Sequence, residues 1–228
     1  SKMHFGEKVG SRYQMLSSAY QMIQAGNYHC PDSFKDILRQ YQETDLGLDY
    51  EYRRFYSAYD LIEDTTAFEP LRDLVENIYT NEYLETLLPK WNSAIQEPDA
   101  FTQLPLQRDF YARDVKNVKE RTVVIISDAR RYEVGKELFR RMQDDPKCSA
   151  KLEVQLSVLP SYTRLGMAAL LPHTELTMTD NFKVLVDGLP CDNLSEREAI
   201  LQKYNGDAAC VQFDSIKSLK IAELRSVF

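Results

Sequence analysis

The 228-residue chain carries 28 Lys+Arg against 35 Asp+Glu, a net charge of −7, and is 43% hydrophobic. This composition supports a packed core and excludes disorder as the default, and no apolar run approaches the roughly 20 residues of a membrane-spanning helix. The acidic excess lies in residues 1–120, with 13 basic and 20 acidic side chains, while residues 121–228 balance at 15 of each; this argues against a nucleic-acid-coating role and does not exclude a local phosphate-cleaving site.

The N-terminal Ser-Lys-Met-His has no hydrophobic signal core, so a soluble, cytoplasmic chain is expected. The first half reads as helices. Tyr13, Leu16, Tyr20 and Ile23 recur at helical spacing. Pro31-Asp-Ser opens a second segment with Phe34, Ile37, Leu38 and Tyr41 on one face. A third runs from about Leu48 to Asp64 with Tyr52, Phe55, Tyr56 and Tyr59 near one stripe. The fourth starts at Pro70 and carries Leu71, Leu74, Val75, Ile78, Tyr79, Tyr83, Leu87 and Trp91. Eleven of the 14 tyrosines precede residue 120. Such rings with polar tips suit helix seams more often than ligand cages. Residues 1–104 therefore read as a helical region, 105–120 as a connecting helix, and 121–228 as part of an α/β domain.

In that second part, Thr122-Val-Val-Ile-Ile-Ser127 reads as a buried parallel strand. A helix from Tyr132 to Met142 follows, then a strand from Leu152 to Leu159 and a small-residue helix from Arg164 to Leu171. Val184-Leu-Val186 is a short strand, and Ser195-Glu-Arg-Glu198 resembles a capping box. Ala208 to Phe213 is a last strand candidate and 214–226 a last helix. The alternation predicts a mainly parallel sheet. Its few strands leave an exposed edge, to be covered by further chain beyond Phe228, by the helical half, or by a homodimer contact. Cys30, Cys148, Cys191 and Cys210 form no C-x-x-C pair, so reduced thiols are expected rather than a zinc knuckle.

Two junctions could carry chemistry. Asp128 ends the first strand, where open α/β sheets place ligands, and a carboxylate there suits a divalent cation. It would equally cap the following helix. The second junction is Leu159-Pro-Ser-Tyr-Thr163-Arg-Leu-Gly166. A hydroxyl at a helix start meets free backbone N–H groups, an environment for a phosphate or an attacking alkoxide; Thr163 or Ser161 would equally serve as a cap. Asp128 and Thr163 lie 35 residues apart, after consecutive strands. On neighbouring strands they would meet at one sheet edge, where a metal could activate the hydroxyl. Of the three histidines, His4 and His29 lie in the helical half, and His173 reads as a helix-end residue.

Residues 125–134, Ile-Ile-Ser-Asp-Ala-Arg-Arg-Tyr-Glu-Val, and 159–173, Leu-Pro-Ser-Tyr-Thr-Arg-Leu-Gly-Met-Ala-Ala-Leu-Leu-Pro-His, resemble two signatures of the PglZ domain of the alkaline phosphatase superfamily. Residues 50–56, 74–84, 107–111 and 186–188 and Arg197 fit as well, so the likeness covers about residues 45–205. The resemblance implies a fragment of a metal-dependent phosphohydrolase, a phosphodiesterase or phosphatase, of the BREX phage-defence systems. Its partners would be other BREX proteins, including a DNA methyltransferase. It maps a metal ligand to Asp128 and the nucleophile to Thr163, with phosphate bound around Tyr162, Arg164 and Leu165 and support from Arg131. Two divalent ions, zinc or manganese/magnesium, are implied for the parent. The later motifs that supply the remaining ligands are absent, so the fragment is expected to hold no metal and to be inactive. A non-catalytic scaffold within a BREX complex is the alternative. Arg130 departs from the family's usual Leu.

Overall fold

The computed structural model describes residues 6–102, 104–128 and 131–227; His4 and Arg130 lie outside these. The chain divides into two compact units that interleave in sequence: Ser1–Gln103 with Ala129–Val154, and Leu104–Asp128 with Gln155–Phe228.

The first unit is helical. Helix α1 (Gly6–Gln24) packs on α3 (Leu46–Tyr59). Met15, Ala19 and Met22 meet Phe55, Ala58, Tyr59, Ile62, Val75 and Ile78 in one core. The buried stripe of α1 is thus not the one its aromatic spacing suggests: Tyr13, Leu16, Tyr20 and Ile23 are exposed. The small Ser18 and Ala19 let the α1 backbone approach α3, and two flexible methionines fill the gaps that remain.

Helix α2 (Phe34–Gln40) is capped by Ser33, whose hydroxyl accepts from the Asp36 N–H at 3.2 Å. It runs through a π turn, Tyr41–Asp45, into α3. A second π turn, Ile78–Leu84, joins α4 (Glu69–Asn77) to α5 (Glu85–Ala94). The tyrosines between these helices find carboxylates. Tyr41 and Tyr79 both donate to Asp49, at 2.7 and 2.8 Å. Tyr52 and Tyr56 donate to Glu76, and Tyr28 to Asp45. Burial first, and the carboxylate acceptors second, hold the Tyr28, Tyr41 and Tyr79 phenols above their ordinary range. The tyrosine stripe is therefore a hydrogen-bonded seam. Helix α6 (Tyr132–Gln143) completes this unit against α3. Its Glu133 carboxylate is fully buried, 3.5 Å from Nε of Arg53, and Lys136 donates to the Gln42 carbonyl at 2.7 Å.

The second unit is α/β, but its sheet differs from the predicted one. Strands β1 (Leu176–Met178), β2 (Val184–Val186) and β3 (Leu189–Pro190) form an antiparallel meander. Asp187 and Gly188 both take positive φ, as a tight I′-type turn between β2 and β3 requires. The meander packs on α7 (Thr163–Ala169) and α8 (Leu194–Gln202) through Ala168, Leu171, Val184, Val186, Cys191 and Ile200.

The predicted parallel strands are absent among the described residues. Residues 121–127 form no regular element and no ladder, and Val123, Val124, Ile125 and Ile126 are all exposed. Of 152–159, one residue pairs: Leu156 forms an isolated parallel bridge with Leu106. β-Branched residues favour a strand only when neighbouring strands and a covering layer receive them, and among the described residues neither does so here. Residues 208–213 likewise form no strand, and α9 (Phe213–Ile216) and α10 (Ile221–Val227) replace the single last helix. The connecting helix is broken into a 3₁₀ turn, Gln107–Asp109, and a π turn, Tyr111–Val115. The capping box sits two residues earlier than expected. Asn193 accepts from the Glu196 N–H at 2.9 Å, and Glu196 reaches back to the Asn193 N–H at 3.3 Å.

Candidate functional site

Thr163 is the first residue of α7. The segment before it bends at Leu159-Pro160, a cis peptide. The N-cap is Tyr162, in extended conformation and without a side-chain cap bond, so neither Ser161 nor Thr163 holds the capping position. The first intrahelical bond runs from the Gly166 N–H to the Tyr162 carbonyl at 2.9 Å. The N–H groups of Thr163, Arg164 and Leu165 precede that bond and have no acceptor within the helix. The Tyr162 N–H differs from these, since it donates to the Pro160 carbonyl at 2.7 Å. Thr163 is exposed, while Ala168 and Ala169 at the other end of the helix are fully buried. The small-residue half of α7 thus seats the helix on β2 and leaves the hydroxyl end open.

The surroundings of this helix start are polar. The Arg164 guanidinium lies 3.7 Å from Asp192, an exposed pair of little energetic weight. Arg197 holds the same loop by donating to the carbonyls of Cys191 and Asp192, at 2.8 and 3.1 Å. His173 follows α7 and its Nδ1 lies 2.7 Å from the Leu171 carbonyl. A carbonyl only accepts, so Nδ1 carries the hydrogen and the ring serves the helix end.

Asp128 belongs to the same compact unit as Thr163, sits in a turn, and is exposed. Arg131 belongs to the other unit, where it is the N-cap of α6 and acts electrostatically on the Tyr79 phenol. Among the described residues, no three His, Cys, Asp or Glu side chains gather as a metal site. The donors therefore do not fit a complete two-ion centre, and Asp128 offers one carboxylate toward it.

Sequence reasoning did not single out Gln107. Its backbone N–H donates to the Leu156 carbonyl at 2.8 Å. Its side chain accepts from the Val158 N–H and donates to the Gly166 carbonyl, both at 3.1 Å. Nothing in local spacing marks a carboxamide whose two partners lie 51 and 59 residues away.

Comparison with known proteins matches residues 109–228 to the BREX system PglZ alkaline phosphatase-like domain. The whole chain is 37% identical to an alkaline phosphatase-like protein PglZ from Bacillus cereus (strain H3081.97), covering 28% of that protein. Over 94% of its length it is 34% identical to an alkaline phosphatase-like protein BrxZ from Escherichia coli O9:H4 (strain HS), covering 26% of it. The chain thus spans about a quarter of the length of these relatives. No solved structure matches it significantly. Among the described residues, no helix is long and apolar enough to cross a membrane.

Proposed function

The chain belongs to the PglZ alkaline phosphatase-like family of BREX systems, and from that premise we propose that the natural polypeptide carrying it hydrolyses phosphoric esters in phage defence, with Thr163 as nucleophile, the fragment alone being inactive. The observation that carries the reading is the exposed Thr163 at the open start of α7. In the proposed reaction the Thr163 oxygen forms a bond to phosphorus, the ester P–O bond breaks, and the leaving alcohol takes a proton. Water then cleaves the phosphothreonine. The N–H groups of Thr163, Arg164 and Leu165, and the Arg164 guanidinium, would hold the phosphate oxygens; Tyr162 would contribute as the N-cap that sets their direction. Asp128 would supply one metal ligand. Dependence on divalent ions, action beside other BREX proteins including a DNA methyltransferase, and homodimer formation belong to the same proposal.

The test is Thr163→Ala in the natural polypeptide that carries this chain. Turnover of p-nitrophenyl phosphate and bis-p-nitrophenyl phosphate should fall by about a thousandfold or more with an unchanged melting temperature. Turnover at the parent rate would refute the assignment.

A second reading, a scaffold without catalysis, is favoured by the exposed stripe of Tyr13, Leu16, Tyr20 and Ile23 on α1. Metal titration of the natural polypeptide that carries this chain separates the two. The hydrolase reading expects Zn²⁺ or Mn²⁺ to raise the melting temperature in a manner that Asp128→Ala weakens; the scaffold reading expects no response in either protein.

A further inference from the structure

We propose that Gln107 is a positioning residue for Thr163, an inference that rests on the hydrolase reading above. The residue links three pieces of chain that are remote in sequence. Its main chain is held at Leu156, whose own N–H donates to the Pro105 carbonyl at 2.9 Å, closing the bridge between Leu106 and Leu156 from both sides. From that fixed point the side chain reaches two residues further to Val158, and across to Gly166 in the first turn of α7. Val158 and Gly166 bracket the segment that turns at Pro160 and presents Tyr162, Thr163, Arg164 and Leu165.

The chemistry of the group is specific. The Val158 N–H can only donate and the Gly166 carbonyl can only accept, so one planar group must offer an acceptor and a donor at once. A carboxamide does this, and the partners fix which end is oxygen. A carboxylate offers two acceptors and would turn one against the Gly166 carbonyl. An apolar chain of the same length offers neither bond. The clamp therefore sets where α7 begins relative to the strand-like segment before it, and so where the Thr163 oxygen stands. A nucleophile displaced by about 1 Å loses on the order of a hundredfold in rate.

The experiment compares Gln107→Glu and Gln107→Met in the natural polypeptide, with p-nitrophenyl phosphate as probe. The expected result is a fall in kcat of about tenfold to a hundredfold in both, with KM within about twofold. When the carboxyl introduced by Gln107→Glu is protonated, it has a carbonyl acceptor and an O–H donor and restores both bonds. The Gly166 carbonyl facing the introduced carboxylate disfavours its charged form and raises its pKa above the ordinary ~4.3, so the kcat of Gln107→Glu relative to the parent should recover as pH falls from about 8 to about 4.5, while the Gln107→Met ratio stays flat. If Gln107→Met does not fold, Gln107→Glu, which keeps the bond from Val158, carries the test. Parent kcat in Gln107→Glu, a loss confined to KM, or a pH-independent ratio for Gln107→Glu overturns the proposal. Thr163→Ala run in parallel keeps the two ideas apart: full turnover in that variant removes the hydrolase reading, whereas its inactivity beside unaffected Gln107 variants removes only the role of Gln107.

Discussion

Single residues show how much of the second unit rests on short polar contacts. Asp187 accepts from the N–H groups of Thr174 and Glu175, at 2.9 and 2.8 Å. These bonds hold its carboxyl below the usual aspartate value. A depressed pKa in the folded state gives stability that is fully present above the ordinary value of 3.8 and fades as pH falls through the folded one. The melting-temperature gap between the parent and Asp187→Ala should therefore be largest at about pH 6 and shrink in strong acid to the remainder set by alanine at a positive φ. Asp187→Asn should lie nearer the parent, because Asn tolerates the positive φ at this position and keeps an acceptor. In the first unit, Glu133 has no hydrogen-bond donor among the described residues and lies 3.5 Å from Arg53. Removing the guanidinium strands a buried carboxylate, so Arg53→Ala should cost about 2–3 kcal/mol in urea unfolding. Adding Glu133→Leu should recover part of that loss. Thr163 and Asp128 were singled out from the sequence because a hydroxyl or a carboxylate at an expected strand–helix junction leaves a local signal, one that a helix cap would leave as well. Glu133 and Gln107 fall inside the family-like segments 125–134 and 107–111, but what they touch is not readable there, since their partners are remote in the chain.

At the scale of elements, periodicity placed helices well and faces less well. Helix α1 has two apolar stripes, and spacing alone does not rank them. Packing chose the narrower one, Met15, Ala19 and Met22, because small neighbours allow close approach to α3. Met22→Ala should thus cost about 2–4 kcal/mol, and Ile23→Ala, 41% exposed, should stay within about 0.5 kcal/mol. Equal effects in denaturant titrations would show that the faces are misassigned. Strands were less legible than helices for a physical reason. A helix satisfies its hydrogen bonds within itself, whereas a strand exists only through its neighbours. The run at 123–126 has strand composition and no ladder, while the three-residue strands at 176–178 and 184–186 form because the hairpin turns hold them together.

Across the whole molecule, burial should set the pattern of amide exchange. The amides of residues 123–126 lie in an exposed run without a ladder, and should exchange by orders of magnitude faster than those of Val184 and Val186, which sit in the core of the second unit. Mass-spectrometric exchange with peptide resolution measures the contrast, and comparable protection of the two runs would mean that the first is paired in solution. The α/β character of the second half was readable from its alternation of elements. Its strand direction was not, because direction depends on which segments find each other. The interleaving of the two units was equally hidden, and it bears on how the polypeptide can be dissected. The family match begins at residue 109, yet α6 belongs to the body built from the first hundred residues. Cutting at the family boundary would strip Glu133 from Arg53 and Lys136 from the Gln42 carbonyl. Neither product would then be a self-sufficient piece: the amino-terminal one would lack a wall, and the carboxy-terminal one would carry an orphaned helix.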